Sequence, residues 1–267
     1  MTLQEGTQMS YISDFIKKKN EAGEKILSVF LTSGFPDKED FVKLALDVLD
    51  AGADMIEIGF PFSDPLADGP IIQASSQEAL LHGINLSTSF QYIKEIRKNS
   101  NKPIILMGYA NPVLNYGIDK FAAAIKNSGA NGVIIPDVPI DEFDNFFNIS
   151  FEGIDKILLV TPTTSEERVI EIDKKSSGFV YCVSVSGTTG LHNKNKSIEF
   201  VKKNQKLVTK NKMLVGFGIS NEEDVKRYSP FCDGVIVGSA VIKSLMNDDK
   251  NYSQTIELVR KLKNSTK

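Results

Sequence analysis

Three carboxylates crowd one short stretch of the chain, Ile56-Glu57-Ile58-Gly59-Phe60-Pro61-Phe62-Ser63-Asp64-Pro65-Leu66-Ala67-Asp68-Gly69-Pro70. Glu57 sits in an apolar run that reads as a buried strand. Asp64 and Asp68 follow in a loop rich in Pro and Gly. A carboxylate in apolar surroundings costs free energy unless it is paired or employed. Acids gathered at one strand end are suited to giving and taking protons. The competing explanation for Glu57 is a structural acid, salt-bridged to a neighbouring lysine. Asp64 and Asp68 lie four apart in a loop and share no helical face. Each taken alone fits a turn residue that caps backbone N–H groups.

Two further groups of residues have chemical potential. Ser184-Val185-Ser186-Gly187-Thr188-Thr189-Gly190 is rich in hydroxyls and glycine. It reads either as a surface loop or as a cover that closes over a ligand and excludes water. Tyr181, on the apolar run that feeds it, offers a phenol. Gly216-Phe217-Gly218-Ile219-Ser220 and Gly238-Ser239-Ala240 each follow another apolar run. Glycine lets backbone N–H groups approach an anion closely, and a following helix N-terminus adds partial positive charge. A small substrate carrying a phosphate suits such a pair of turns, and two unrelated tight turns are the alternative.

The elements that must position these groups are legible as a pattern. Eight apolar runs occur: Ile26–Leu31, Met55–Ile58, Ile104–Met107, Val133–Ile135, Ile157–Val160, Phe179–Val183, Met213–Val215 and Val235–Val237. They are nearly continuous in Val, Ile, Leu and Met, as in parallel strands buried on both faces. Helical periodicity separates them. Phe41, Leu44, Ala45, Val48 and Leu49 fall on one helical face, with Asp37 as the expected N-cap, Asp40 in capping-box position and Gly52 as the stop. Gly129 or Asn131 is expected to end the helix before the fourth strand. Eight strand–helix alternations predict an α/β fold, a (β/α)₈ TIM barrel. A doubly wound sheet is the alternative, but no GxGxxG follows the first strand. Ile12, Phe15 and Ile16 predict an extra N-terminal helix over the N-terminal mouth of the barrel. The stretch from Met55 to Ile104 is much longer than that from Ile26 to Met55, which predicts an enlarged loop after strand 2. Loops after strands build the working face of such barrels, and those after strands 7 and 8 are the recurrent phosphate site.

Bulk properties narrow the classes. The chain has 267 residues, 41% hydrophobic and 24% charged, with a net charge of −3. One domain spanning 1–267 is expected. There is no basic stripe for nucleic acid, and the lysines at 17–19 and from Lys194 to Lys212 read as solvated helix faces. Cys182 and Cys232 form no CxxC and read as buried thiols. His82 and His192 lack a second ligand at metal spacing. No secretory signal and no apolar run near the ~20 residues of a membrane helix is visible, so a cytoplasmic protein is expected.

The segment Glu57 to Pro70, above all PFSDPLADGP, resembles the signature of the tryptophan synthase alpha subunit family. The resemblance extends along most of the chain. It includes Phe30-Leu31-Thr32-Ser33-Gly34, Met107-Gly108-Tyr109-Ala110-Asn111-Pro112, Pro136-Asp137-Val138-Pro139, Tyr181 to Gly190, Gly216-Phe217-Gly218-Ile219 and Gly238-Ser239-Ala240. It implies retro-aldol cleavage of indole-3-glycerol phosphate to indole and D-glyceraldehyde 3-phosphate, with Glu57 and Asp68 as the catalytic acids. It implies that Phe30 packs on the indole, that Tyr181 orients Asp68 or the substrate, and that Thr189 helps to close the site. Gly190, Phe217, Gly218, Gly238 and Ser239 are implied on the substrate side, around the phosphate. The implied partner is a beta subunit in an α₂β₂ complex. Beta would receive the indole and carry pyridoxal phosphate, leaving no cofactor in this chain. Asp64 is implied on the beta-facing loop. Val185 departs from the Arg carried by some members, which touches how the strand-6 loop closes. A stand-alone lyase releasing free indole, a non-catalytic subunit that only activates beta, and a Schiff-base aldolase are the competing functions.

Overall fold

Both faces of every strand must be covered for these continuous apolar runs to be stable, and a barrel wrapped in helices achieves that. The computed structural model describes residues 10–184 and 194–267. The first half of the chain gives α1 (Tyr11–Glu21), β1 (Ile26–Thr32), α2 (Phe41–Asp50), β2 (Met55–Gly59), α3 (Pro70–Leu81), α4 (Leu86–Asn99), β3 (Ile104–Met107), α5 (Ala110–Tyr116), α6 (Ile118–Ser128) and β4 (Gly132–Ile134). The second half gives α7 (Phe143–Phe146), β5 (Asp155–Lys156), β6 (Leu158–Val160), α8 (Glu166–Lys175), β7 (Phe179–Val183), α9 (Lys194–Leu207), β8 (Lys212–Gly216), α10 (Glu222–Tyr228), β9 (Gly234–Val237), α11 (Ser239–Asn247) and α12 (Ser253–Asn264).

Among the described residues the strands form one parallel sheet in the order β5-β4-β3-β2-β1-β9-β8-β7-β6. The two ends of that order are one stave. β5 and β6 are separated by Ile157 alone; β5 pairs with β4 and β6 with β7. The Ile157 N–H donates to Val133 O at 3.1 Å across the junction. The sheet therefore closes as eight staves, the predicted (β/α)₈ barrel, and all eight apolar runs fall on them.

The helix α2 buries the five predicted apolar residues. Its start differs from the expected capping box. Asp37 Oδ1 accepts the Glu39 N–H at 2.8 Å, which makes a local turn, and the helix begins only at Phe41. A short acidic side chain that bonds its own neighbouring backbone competes with helix initiation in this way. Gly52 at φ +120° follows the helix end, and Gly129 at φ +84° caps α6. Asn131 instead links two elements, because its Oδ1 accepts from Arg97 and from the Ile104 N–H.

The predicted N-terminal helix is α1, with Ser10 Oγ accepting the Ser13 N–H at its cap. Ile12 and Ile16 are fully buried. The tips of Ile12 and Ile157 both close on Gly132, 2.9 and 2.8 Å from where a Cβ would stand, so α1 plugs the N-terminal mouth. The excess length between β2 and β3 divides into a loop over residues 60–69 and the added helix α3.

One ionic cluster ties the chain's two ends to the barrel floor. Asp54, 2% exposed, accepts the Leu27 N–H at 2.9 Å and pairs with Lys263 at 2.8 Å and Lys19 at 3.3 Å. Lys263→Met removes one cation and leaves Asp54 with Lys19 alone. Urea unfolding is expected to show a loss of about 1–3 kcal/mol, the scale for a buried charged group deprived of a partner. An unchanged midpoint would show that the cluster adds nothing.

Candidate active site

Alternation along β2 turns Met55, Glu57 and Gly59 to one side and Ile56 and Ile58 to the other. Register places Phe30 of β1 beside Glu57, and Ser28 faces the same way two residues earlier. The ring of Phe30 lies over Gly59, where any Cβ would collide with it. These residues open into a cavity of about 350 Å³ at the C-terminal end of the strands. Phe30, Glu57, Asp68, Tyr181, Phe217, Gly218, Gly238 and Ser239 all line it. Thr189, Gly190 and Val185 lie outside the described residues. Asp64 is exposed and takes the Ser63 hydroxyl; it does not line the cavity.

Glu57 is only 1% exposed. Its Oε1 accepts the Ser28 hydroxyl at 2.8 Å, and its Oε2 has no partner among the described residues. Burial pushes its carboxyl up to about 7, against the smaller opposing pull of the Ser28 hydrogen bond. Among the described residues no lysine pairs with it, which counts against the structural-acid explanation. Asp68, half-buried in the loop after β2, is pushed up to about 6 by desolvation, with the Tyr109 hydroxyl opposing the rise. Tyr181 is buried between them. Burial first, and then the charges of Glu57 and Asp68, hold its phenol well above the usual range. It is therefore a neutral hydroxyl facing both acids. Its oxygen rests on Gly216, where a Cβ would overlap it.

The opposite wall is backbone. Phe217 and Gly218 have φ of +67° and +73° in succession, a left-handed stretch that glycine adopts freely and phenylalanine does not. The Phe217 ring meets Tyr181 edge-on, with centroids 6.2 Å apart. Gly238 precedes the first residue of α11, whose leading N–H groups have no intrahelical acceptor. Such an end favours an anion. Lys243, one turn past Ser239 on α11, borders the same cavity. Sequence reading missed Ser28, Tyr109 and Lys243 as contributors. Ser28 carried a usable signal, because it shares the inward parity of Phe30.

Known proteins resemble the chain throughout. The tryptophan synthase alpha chain family matches residues 16–267. The chain belongs to that family. The alpha chain of Petrotoga mobilis is 44% identical over 263 residues, covering 97% of this chain and 98% of its own. That of Christiangramia forsetii is 41% identical over 253 residues, covering 93% and 98%. Among solved structures, a Legionella pneumophila tryptophan synthase alpha chain is 31% identical, with a TM-score of 0.87 and 97% of each chain covered. An aminoacrylate-bound tryptophan synthase from M. tuberculosis gives 29% identity and a TM-score of 0.87 over 97% of this chain. Members of the family are lyases of tryptophan biosynthesis.

Holding Glu57 above its ordinary range has a consequence for stability. The group favours folding fully below about 4.5, its ordinary value, and that contribution is lost as pH rises through about 7. At pH 8 the ionised, buried carboxylate opposes folding by on the order of 3 kcal/mol. Glu57→Gln, neutral and of the same shape, is expected to be more resistant to denaturant than wild type at pH 8 and nearly equal to it at pH 5. Equal differences at the two pH values would contradict this.

Proposed function

We propose that this chain cleaves indole-3-glycerol phosphate by a retro-aldol reaction to indole and D-glyceraldehyde 3-phosphate. Glu57 carries the reading: a buried carboxyl with a midpoint near neutrality and one oxygen free toward a cavity that Asp68 also lines. The protonated Glu57 donates to indole C3, which breaks the ring's aromaticity and leaves positive charge near N1. Asp68, ionised, stabilises that charge. The Glu57 carboxylate then takes the proton of the glycerol hydroxyl next to the ring. The carbon–carbon bond breaks, its electron pair restores the indole, and the hydroxyl carbon leaves as the aldehyde. A group with a midpoint near the working pH serves both transfers.

Phe30 packs on the indole, and Tyr181 orients the substrate against Asp68. Phe217, Gly218, Gly238 and Ser239 hold the phosphate, and Lys243 adds a cation at the same rim. Thr189 and Gly190 complete the cover and the phosphate side. The partner is a beta subunit in an α₂β₂ assembly, and pyridoxal phosphate belongs to beta. Two apolar side chains near the working face, Leu66 at 91% and Leu114 at 57% exposure, fit a surface that another chain covers. No helix among the described residues is long and apolar enough to cross a membrane. The free thiols of Cys182 and Cys232 suit the reducing cytoplasm.

Mixing the protein with indole-3-glycerol phosphate, with and without a beta subunit, and measuring indole tests the reading. Glu57→Gln is expected to lower kcat by about 10² to 10⁴, the scale of a positioned proton transfer, while binding of glycerol 3-phosphate barely changes. Near-normal turnover would remove Glu57 from the mechanism. The wild-type kcat/KM is expected to fall below about pH 6, as Asp68 is protonated, and above about pH 7, as Glu57 loses its proton. A flat profile between pH 5 and 8 would contradict these roles.

A further inference from the structure

The loop after β2 would hold Asp68 loosely if nothing beyond it took part. Its backbone is secured locally: the Asp68 N–H donates to Pro65 O at 3.1 Å, and the Gln73 side chain donates to Asp68 O at 2.8 Å. Neither contact directs the carboxylate. The side chain that reaches it comes from the next strand. Tyr109 follows β3, is buried, and lays its ring against Phe62, with centroids 5.6 Å apart and planes at 33°. Its hydroxyl oxygen accepts the Ala67 N–H at 3.1 Å. A phenol has one proton to give. With its oxygen already accepting, that proton is left for the Asp68 carboxylate beside it.

Tyr109 is itself held from a third loop. It is the N-cap residue of α5, and the next N–H, that of Ala110, donates to both oxygens of Asp137 at 2.9 and 3.2 Å. Asp137 lies after β4. A continuous chain of contacts thus runs from the loop after β4, through the start of α5, to the acid in the loop after β2.

We infer that Tyr109 is a positioning residue: its hydroxyl clamps Ala67 and Asp68 together and aims the Asp68 carboxylate into the cavity. The inference rests on the role proposed for Asp68. The ionisable groups facing Asp68 or its clamp are Tyr109 itself, Tyr181 from β7, Glu57 from β2 through Tyr181, and Asp137 from the loop after β4. Tyr181 remains a neutral phenol near neutral pH, and burial is what raises the Asp68 carboxyl. Among the described residues, it is the Tyr109 hydroxyl whose hydrogen bond favours the ionised form of Asp68.

Tyr109→Phe removes the hydroxyl and keeps the ring that packs on Phe62. The full-length protein, carbon-13 labelled at aspartate carboxyls, reports the Asp68 titration by NMR, with Asp68→Asn to assign the signal. In Tyr109→Phe the Asp68 midpoint is expected to rise by about half a unit or more. The acidic limb of kcat/KM should move up with it. The kcat should fall by about tenfold to a hundredfold, while the dissociation constant of glycerol 3-phosphate stays within about twofold. A loss of stability alone would not move the Asp68 titration. An unchanged midpoint, or a raised midpoint with unchanged kcat, would overturn the inference. A wild-type protein that cleaves no indole-3-glycerol phosphate would instead sink the functional reading, and the NMR titration alone would then decide whether Tyr109 acts on Asp68.

Discussion

A carboxyl group walled into a barrel with only one of its oxygens hydrogen-bonded is an expensive object, and the structure around Glu57 is organised to tolerate it. Strand β2 must be fixed on both sides for Glu57 to stay inside, and it is, between β1 and β3. Ser28 supplies a single hydroxyl, enough to set the orientation of the carboxyl and too little to hold it ionised. A lysine in place of Ser28 would satisfy the charge and pull the midpoint down, away from the range in which one group can both give and take a proton. The unsatisfied oxygen is thus compatible with a stable fold because the group sheds its charge by binding a proton.

The rest of the cavity divides the labour by chemistry. Its proposed indole-facing wall is side chains: Phe30 and Tyr181, held by register and by the close approach of their rings to Gly59 and Gly216, and Asp68 from the loop after β2. The proposed phosphate wall is backbone, where the turns at Phe217-Gly218 and Gly238 expose N–H groups. Side chains placed by strands can be tuned in pKa by burial. Backbone amides cannot titrate, so they suit an anion that takes no part in proton transfer. The N-terminal end carries none of this chemistry; α1 and the Asp54 cluster close it.

Much of this was legible because the relevant residues broke a pattern. Glu57 interrupts an apolar strand, and the glycine turns sit at corresponding places after two strands. The eight apolar runs became the eight staves because burial on both faces leaves no alternation to misread. What escaped notice did so for physical reasons. The helix α3 turns Ser75 and Ser76 inward, with Ser75 against Thr32 at 2.7 Å, so its buried face lacks an apolar stripe and its length reads as loop. The break between β5 and β6 falls at Ile157, where the apolar run begins; β5, Asp155-Lys156, is two charged residues that no apolar pattern marks. Tyr109 was visible in a motif, yet its link to Asp68 joins loops after different strands, and no local spacing encodes that meeting. Lys243, on an exposed helix face, looks like any solvated lysine until the barrel brings α11 to the cavity.

The ionisation of Glu57 itself is the most direct test. Carbon-13 NMR of glutamate carboxyls in the folded protein, with Glu57→Gln to assign the signal, gives its midpoint without reference to any activity. Titration near pH 7 is the expected result. A midpoint at the ordinary glutamate value, near 4.5, would mean that the barrel holds a plain carboxylate, and the proton-transfer role assigned to it would not survive.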